Sequence, residues 1–185
     1  MPALDPLETH YMKTALMIFL ALCSTCLWAE GAPTDPQIAA IVVTANQVDI
    51  DAGKLAEAKA HSAQVREFAK LMVKDHTAVN QSAKELVTKL HVTPESNPTS
   101  ESLKQGGEEN LANLRKLKGS AFDKAYIDNE VAYHQAVLDA VDHTLIPNAQ
   151  NAELKALLVK VRPTFVAHLE HAKTLQASLE KGAHS

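Results

Sequence analysis

Cysteine is almost missing from this 185-residue chain, which has only Cys23 and Cys26. Both lie near the start, in an uncharged apolar run from Thr14 to Ala29 that also holds the single tryptophan, Trp28. Aromatic residues make up 4% of the chain and glycine occurs six times. Few aromatics argue against strands, which favour aromatic and β-branched side chains. Charge of one sign is also lacking: 18 Lys and Arg stand against 22 Asp and Glu, a net −4. That balance excludes the basic face of a typical nucleic-acid binder. There is no P-loop, Gly-rich dinucleotide motif, zinc-protease signature or nucleophile triad pattern. What is present is 46% hydrophobic sequence spread over helical periods.

The run from Thr14 to Ala29 follows Lys13 and Met12 and is shorter than the roughly 20 apolar residues of a membrane span. A basic residue, a short apolar stretch and a small residue at its end form a secretory leader. This reading makes residues 1–29 a signal peptide with Met12 as its start and Ala29 or Ala32 as its cleavage point. It places the protein in the periplasm or envelope. A lipoprotein alternative would acylate Cys23 or Cys26, but neither follows directly on the expected small residue. Cleavage removes both cysteines, so the remaining domain has no disulfide and no thiolate metal site. Its fold must rest on its core.

Residues 30–180 carry four long amphipathic patterns, with 181–185 as a frayed tail. The first opens at Thr34-Asp35-Pro36, a cap followed by a first-turn proline. Its stripe includes Ile38, Ile41, Val42, Ala45, Val48 and Ala52. The second starts at Ser62 and stops before Pro94. Thr93 to Ser102 reads as a loop, and a shorter helix spans Leu103 to Lys118, weakened by Gly106-Gly107. Gly119 fits a helix end, and Ser120 with Asp123 fits the next start. The third long helix runs from Ala121 to Leu145 and breaks at Ile146-Pro147-Asn148. The fourth runs from Asn151 to Leu179, with Pro163 inside it. This is an all-α, ferritin-like, up-down-up-down four-helix bundle with an extra short helix between helices two and three.

Polar residues on apolar stripes carry the functional signal. His76, His134 and His168 each fall where a different helix faces the core. Asp49 shares the stripe of the first helix, and Asp51 lies on its edge. Glu130 stands four residues before His134, able to share a metal or orient the ring. Counting residues from the helix ends puts Asp49, His76 and His134 near one level and His168 about 9 Å deeper. Imidazole and carboxylate suit Zn, Fe, Cu or Mn. The competing reading is a metal-free, hydrogen-bonded histidine layer, involving Asp75, Glu130, Tyr133 or Asp49. A weak internal repeat sets Phe68 eight residues before His76 and Tyr126 eight before His134.

Val48-Asp49-Ile50-Asp51-Ala52-Gly53-Lys54-Leu55-Ala56 and Val65 to His76 resemble the bacterial domain of unknown function 4142 family. So do Ala121-Phe122-Asp123-Lys124-Ala125-Tyr126 leading to His134-Gln135, and Pro163 leading to His168-Leu169. The likeness implies a ferritin-like fold and export, under the family label "predicted outer membrane protein", and no established activity. Its acidic position falls on Asp51 and its histidines on His76, His134 and His168. Where relatives carry an acid before the second histidine, this chain has Tyr133. The chain has no Glu-x-x-His, the motif of dinuclear ferritin-like sites. These readings lead to an exported bundle binding a transition metal in its core. The alternative is a non-catalytic envelope or stress protein. No nucleic-acid partner is expected, and no membrane span after cleavage.

Overall fold

The computed structural model describes residues 31–182, and the leader read at 1–29 lies outside them. The described chain forms α1 (Asp35–Lys59), α2 (Ala63–Lys89), α3 (Pro98–Lys116) and α4 (Gly119–Ala140). A π-helical turn at Val141–Leu145 follows, then the short α5 (Ile146–Asn148) and α6 (Ala152–Gly182). No helix among the described residues is long and apolar enough to cross a membrane.

Local signals explain most of the boundaries. Before α1, the Thr34 N–H donates to the Gln37 side chain at 3.0 Å, half of a capping box. The Ser62 hydroxyl accepts from Val65 N–H at the start of α2. Asn151 Oδ1 accepts from Glu153 and Leu154 N–H at the start of α6. Pro163 stands inside α6, as the sequence indicated.

Four boundaries differ from expectation. The α4 helix begins at Gly119 rather than Ala121, and Lys118, not Ser120, is its N-cap. The α3 helix begins at Pro98 rather than Leu103, because Asn97 caps it by accepting from Ser100 N–H and Pro98 occupies the first turn. Its paired glycines do not interrupt it. Gly107 is where Val48 of α1 packs, and a Cβ there would come within 2.8 Å of the valine. After α4 the helix does not break at Ile146-Pro147-Asn148. The π turn carries it through Asn148, and the chain leaves helical geometry at Ala149. At the far end α6 continues past Leu179 to Gly182.

The bundle consists of α1, α2, α4 and α6, with α1 packed on α2, α4 on α6, and α3 against the outside of α1. Hydrogen bonds fix the directions. Asp35 at the start of α1 accepts from Gln150 and Asn151 N–H, both at 2.9 Å, so α1 and α6 start at the same end. Asp123 at the start of α4 accepts from His61 and Ser62 N–H, so α4 starts beside α2. The α3 helix is long enough to return the chain along the bundle. Its end meets the end of α1, where Lys59 donates to the Leu114 and Arg115 carbonyls. The helices therefore alternate only when α3 is counted, and among the four core helices α2 and α4 run parallel. The weak repeat becomes physical here: Phe68 and Tyr126 sit side by side on those parallel helices, edge to face, with ring centroids 6.2 Å apart.

Candidate metal centre

The core is apolar at both ends and polar in the middle. Toward the α1–α2 turn, Phe68, Met72, Phe122, Tyr126 and Ile127 are fully buried. Toward the other end, Ile38, Ile41, Leu145, Leu154 and Leu158 form a second apolar cluster. Between them Asp49, His76, His134 and His168 are all buried. Each stands near the midpoint of its own helix, so the four helices deliver one polar group apiece to one level.

Ring centroids lie 5.5 Å apart for His76 and His134, 5.2 Å for His76 and His168, and 5.4 Å for His134 and His168. One nitrogen from each ring comes within 4.8 Å of the others. The depth offset expected for His168 is absent. Because α2 and α4 start at the same end, counting from their starts levels His134 with His76. Asp49 Oδ2 lies 3.2 Å from His76 Nε2 and 3.5 Å from His134 Nε2. Asp51 is not in this cluster. It is half-buried on the outer edge of α1, where the Gln47 amide donates to it at 2.9 Å.

Outer partners set the direction of every imidazole. Asn46 Nδ2 donates to the Val42 carbonyl, which turns Asn46 Oδ1 toward His76 Nδ1 at 2.7 Å. The Glu130 backbone carbonyl faces His134 Nδ1 at 3.0 Å. The Asp75 carboxylate faces His168 Nε2 at 3.0 Å. All three outer groups can only accept, so each must face an N–H. In the neutral imidazoles the proton is thereby placed outward, on Nδ1, Nδ1 and Nε2 respectively. The remaining nitrogens, His76 Nε2, His134 Nε2 and His168 Nδ1, are left as lone pairs. These three atoms and both Asp49 oxygens are buried without a hydrogen-bond partner. Phe165 stacks on His76 with its centroid 5.3 Å away, closing one side with hydrocarbon.

Burial disfavours charge throughout this layer. It pushes the Asp49 carboxyl up to about 8. It holds His134 down to about 4, with the neighbouring His168 adding to the effect. Burial also lowers His76, helped by the other two histidines, and lowers His168 against the opposing pull of Asp75. A second cluster adjoins the first: Asp49, Glu130 and His134 also present ligand atoms within 4.8 Å of one another. Glu130 is fully buried, its Oε2 lies 3.4 Å from His134 Nδ1 without a hydrogen bond, and burial next to Asp49 holds its carboxyl well above the usual range.

Sequence reasoning missed Asn46. It lies on the buried stripe three residues before Asp49, and a buried amide on such a stripe was the available signal. Tyr133, standing where an acid was looked for, donates its hydroxyl to the Ala45 carbonyl at 2.9 Å and ties α4 to α1.

Comparison with known proteins agrees with the helical layout. The model of the domain of unknown function DUF4142 matches residues 27–175. The chain belongs to this family. Among curated proteins, none matches it by sequence. A solved structure described as "CopM in the Cu(II)-bound form" is similar in fold, with a TM-score of 0.61 at 15% identity. The match covers 80% of this DUF4142 chain and 98% of that one.

Proposed function

We propose that this protein is an exported helical bundle that binds one transition-metal ion at its centre. His76, His134 and His168 would be the ligands, with Asp49 completing the set. One observation carries the reading: three imidazole nitrogens and both Asp49 oxygens are buried facing one another without a hydrogen-bond partner. Acceptors in such a layer repel unless a cation or a proton lies between them. Each orphaned group costs about 1–3 kcal/mol of folding stability. Imidazoles held by outward hydrogen bonds are the usual arrangement around a bound metal.

Three nitrogens and one oxygen, without thiolate, suit Cu(II) or Zn(II), and copper binds such sites more tightly than zinc. The Cu(II)-bound state of a protein with a similar fold makes copper the first metal to test. Asp51 falls outside the ligand set by its placement. Export rests on the leader read in the sequence.

A second reading has its own support in the 3.2 Å approach of Asp49 to His76. A proton retained by Asp49 and shared with His76 would satisfy part of the layer without metal. The two readings separate by metal analysis of untagged protein, beside His76→Ala and His134→Ala variants. Near one equivalent of metal, lost in both variants, is the expected result. Metal-free protein that takes up none on addition, with variants that lose only stability, would overturn the metal reading.

A further inference from the structure

The α3 helix packs on α1 and barely meets α4. The gap beneath it leads inward. A cavity of about 150 Å³ lies between α1, α3, α4 and α6. At its outer end are Thr99 and Ala136, both exposed. At its inner end are Leu158, Phe165 and the rings of His76 and His134, all buried. Between them the walls are hydrocarbon, including Leu103, Val137 and Ala140.

Most polar atoms at the inner end are already engaged, and His76 Nε2 and His134 Nε2 lie against Asp49 without a hydrogen bond. His76 Nδ1 is engaged by Asn46, and His134 Nδ1 by the Glu130 carbonyl. The Tyr133 hydroxyl is engaged by Ala45. A water entering here would find few of the two to four polar partners it needs. Cavities of this size lined by aliphatic and aromatic groups stay dry and take up benzene or xenon.

We infer that the cavity beneath α3 is a binding chamber for a small uncharged apolar molecule, up to about the size of a benzene ring, that enters at Thr99 and Ala136 and comes to rest against His76 and His134. The chamber is built from side chains alone and does not depend on the metal reading. If both hold, its occupant lies against two of the metal's ligands.

Benzene titrated into the purified protein, followed by backbone amide shifts, tests the inference in metal-free and metal-treated samples alike. Saturable shifts centred on Leu103, Val137 and Ala140 are expected, weakened at least tenfold in Ala140→Phe, which fills the chamber. Thr99→Trp, at the exposed mouth and away from the core, should slow exchange of benzene without unfolding the bundle. Xenon serves as a second probe and should shift the same amides. No saturable change with either probe, or changes scattered over the surface, would overturn it. Equal affinity in a folded Ala140→Phe variant would do so too. Uptake of metal without benzene binding would reject the chamber and leave the metal centre standing, and the reverse result would reject only the metal.

Discussion

Two aspartates in this bundle are equally buried, each 1% exposed, and they have opposite surroundings. Asp123 sits at the end of the bundle, where the His61 N–H reaches one oxygen at 2.9 Å and the Ser62 N–H reaches the other at 2.7 Å. Asp49 sits in the middle and neither of its oxygens has a hydrogen-bond partner. The first carboxylate satisfies two helix-start donors that nothing else reaches, and so contributes to stability. The second faces other acceptors, and burial drives it toward its protonated form. A buried carboxylate that is fully bonded explains itself by structure, whereas one left facing lone pairs needs a proton or a cation.

The largest expected effect falls on the unpartnered layer. His76→Ala or His134→Ala should weaken metal binding by at least about 1,000-fold, near 4 kcal/mol, measured by competition against a chelator. A smaller loss would mean that the ions bind elsewhere. Next is Asp123→Ala, which orphans two backbone N–H groups and should cost about 3 kcal/mol in denaturant unfolding, with metal stoichiometry unchanged. If Asp123→Ala removed metal, the division between the two aspartates would fail. Asn46→Ala and Asp75→Ala release the outer bonds on His76 and His168. Each should reduce metal affinity by about 10–100-fold, as expected for partners that orient ligands.

A pH effect follows from the direction of the shifts. Unfolded Asp49 gives up its proton near the usual carboxylate range, whereas the folded group keeps it to about 8. Rising pH therefore favours the unfolded metal-free chain up to about pH 8. The lowered histidines act the other way, since they cost stability as pH falls below 6.5. The unfolded histidines are half protonated at pH 6.5 and nearly neutral by about pH 7.5, so the carboxylates dominate from about pH 7.5 to 8. The metal-free unfolding free energy should drop across that window, by up to about 1.4 kcal/mol per pH unit from Asp49. Asp49→Asn should remove that share. A wild-type curve that rises over the window would contradict the burial of an unpaired carboxylate. The smallest effect belongs to the exposed Lys173–Glu170 pair. Glu170→Ala should change stability by under about 0.5 kcal/mol.

Helical period and caps made α1, α2 and α6 legible, because their stripes are long and their starts carry Thr34, Ser62 and Asn151. The α3 start was not, since Asn97-Pro98 is both a turn signal and a cap-plus-first-turn signal, and only packing on α1 decides between them. The parallel course of α2 and α4 depends on α3 spanning the bundle, which no local pattern states. Asp123 read as a partner for Ser120, yet its carboxylate serves the α2 start sixty residues away in sequence. The histidines and Asp49 were legible as polar residues out of place on apolar stripes. Asp51 sits one step off that stripe, and this rotation is enough to turn it outward. Which nitrogen of each ring faces inward depends on Asn46, Glu130 and Asp75, and that needed the fold.

The proposed metal centre requires three specific lone pairs to share one cation. A crystal of copper- or zinc-treated protein, measured at the metal's absorption edge, tests it most directly. A single anomalous peak about 2.0–2.1 Å from His76 Nε2, His134 Nε2 and His168 Nδ1 is the predicted result. Metal found only at exposed histidines, with the central layer unchanged, would contradict it.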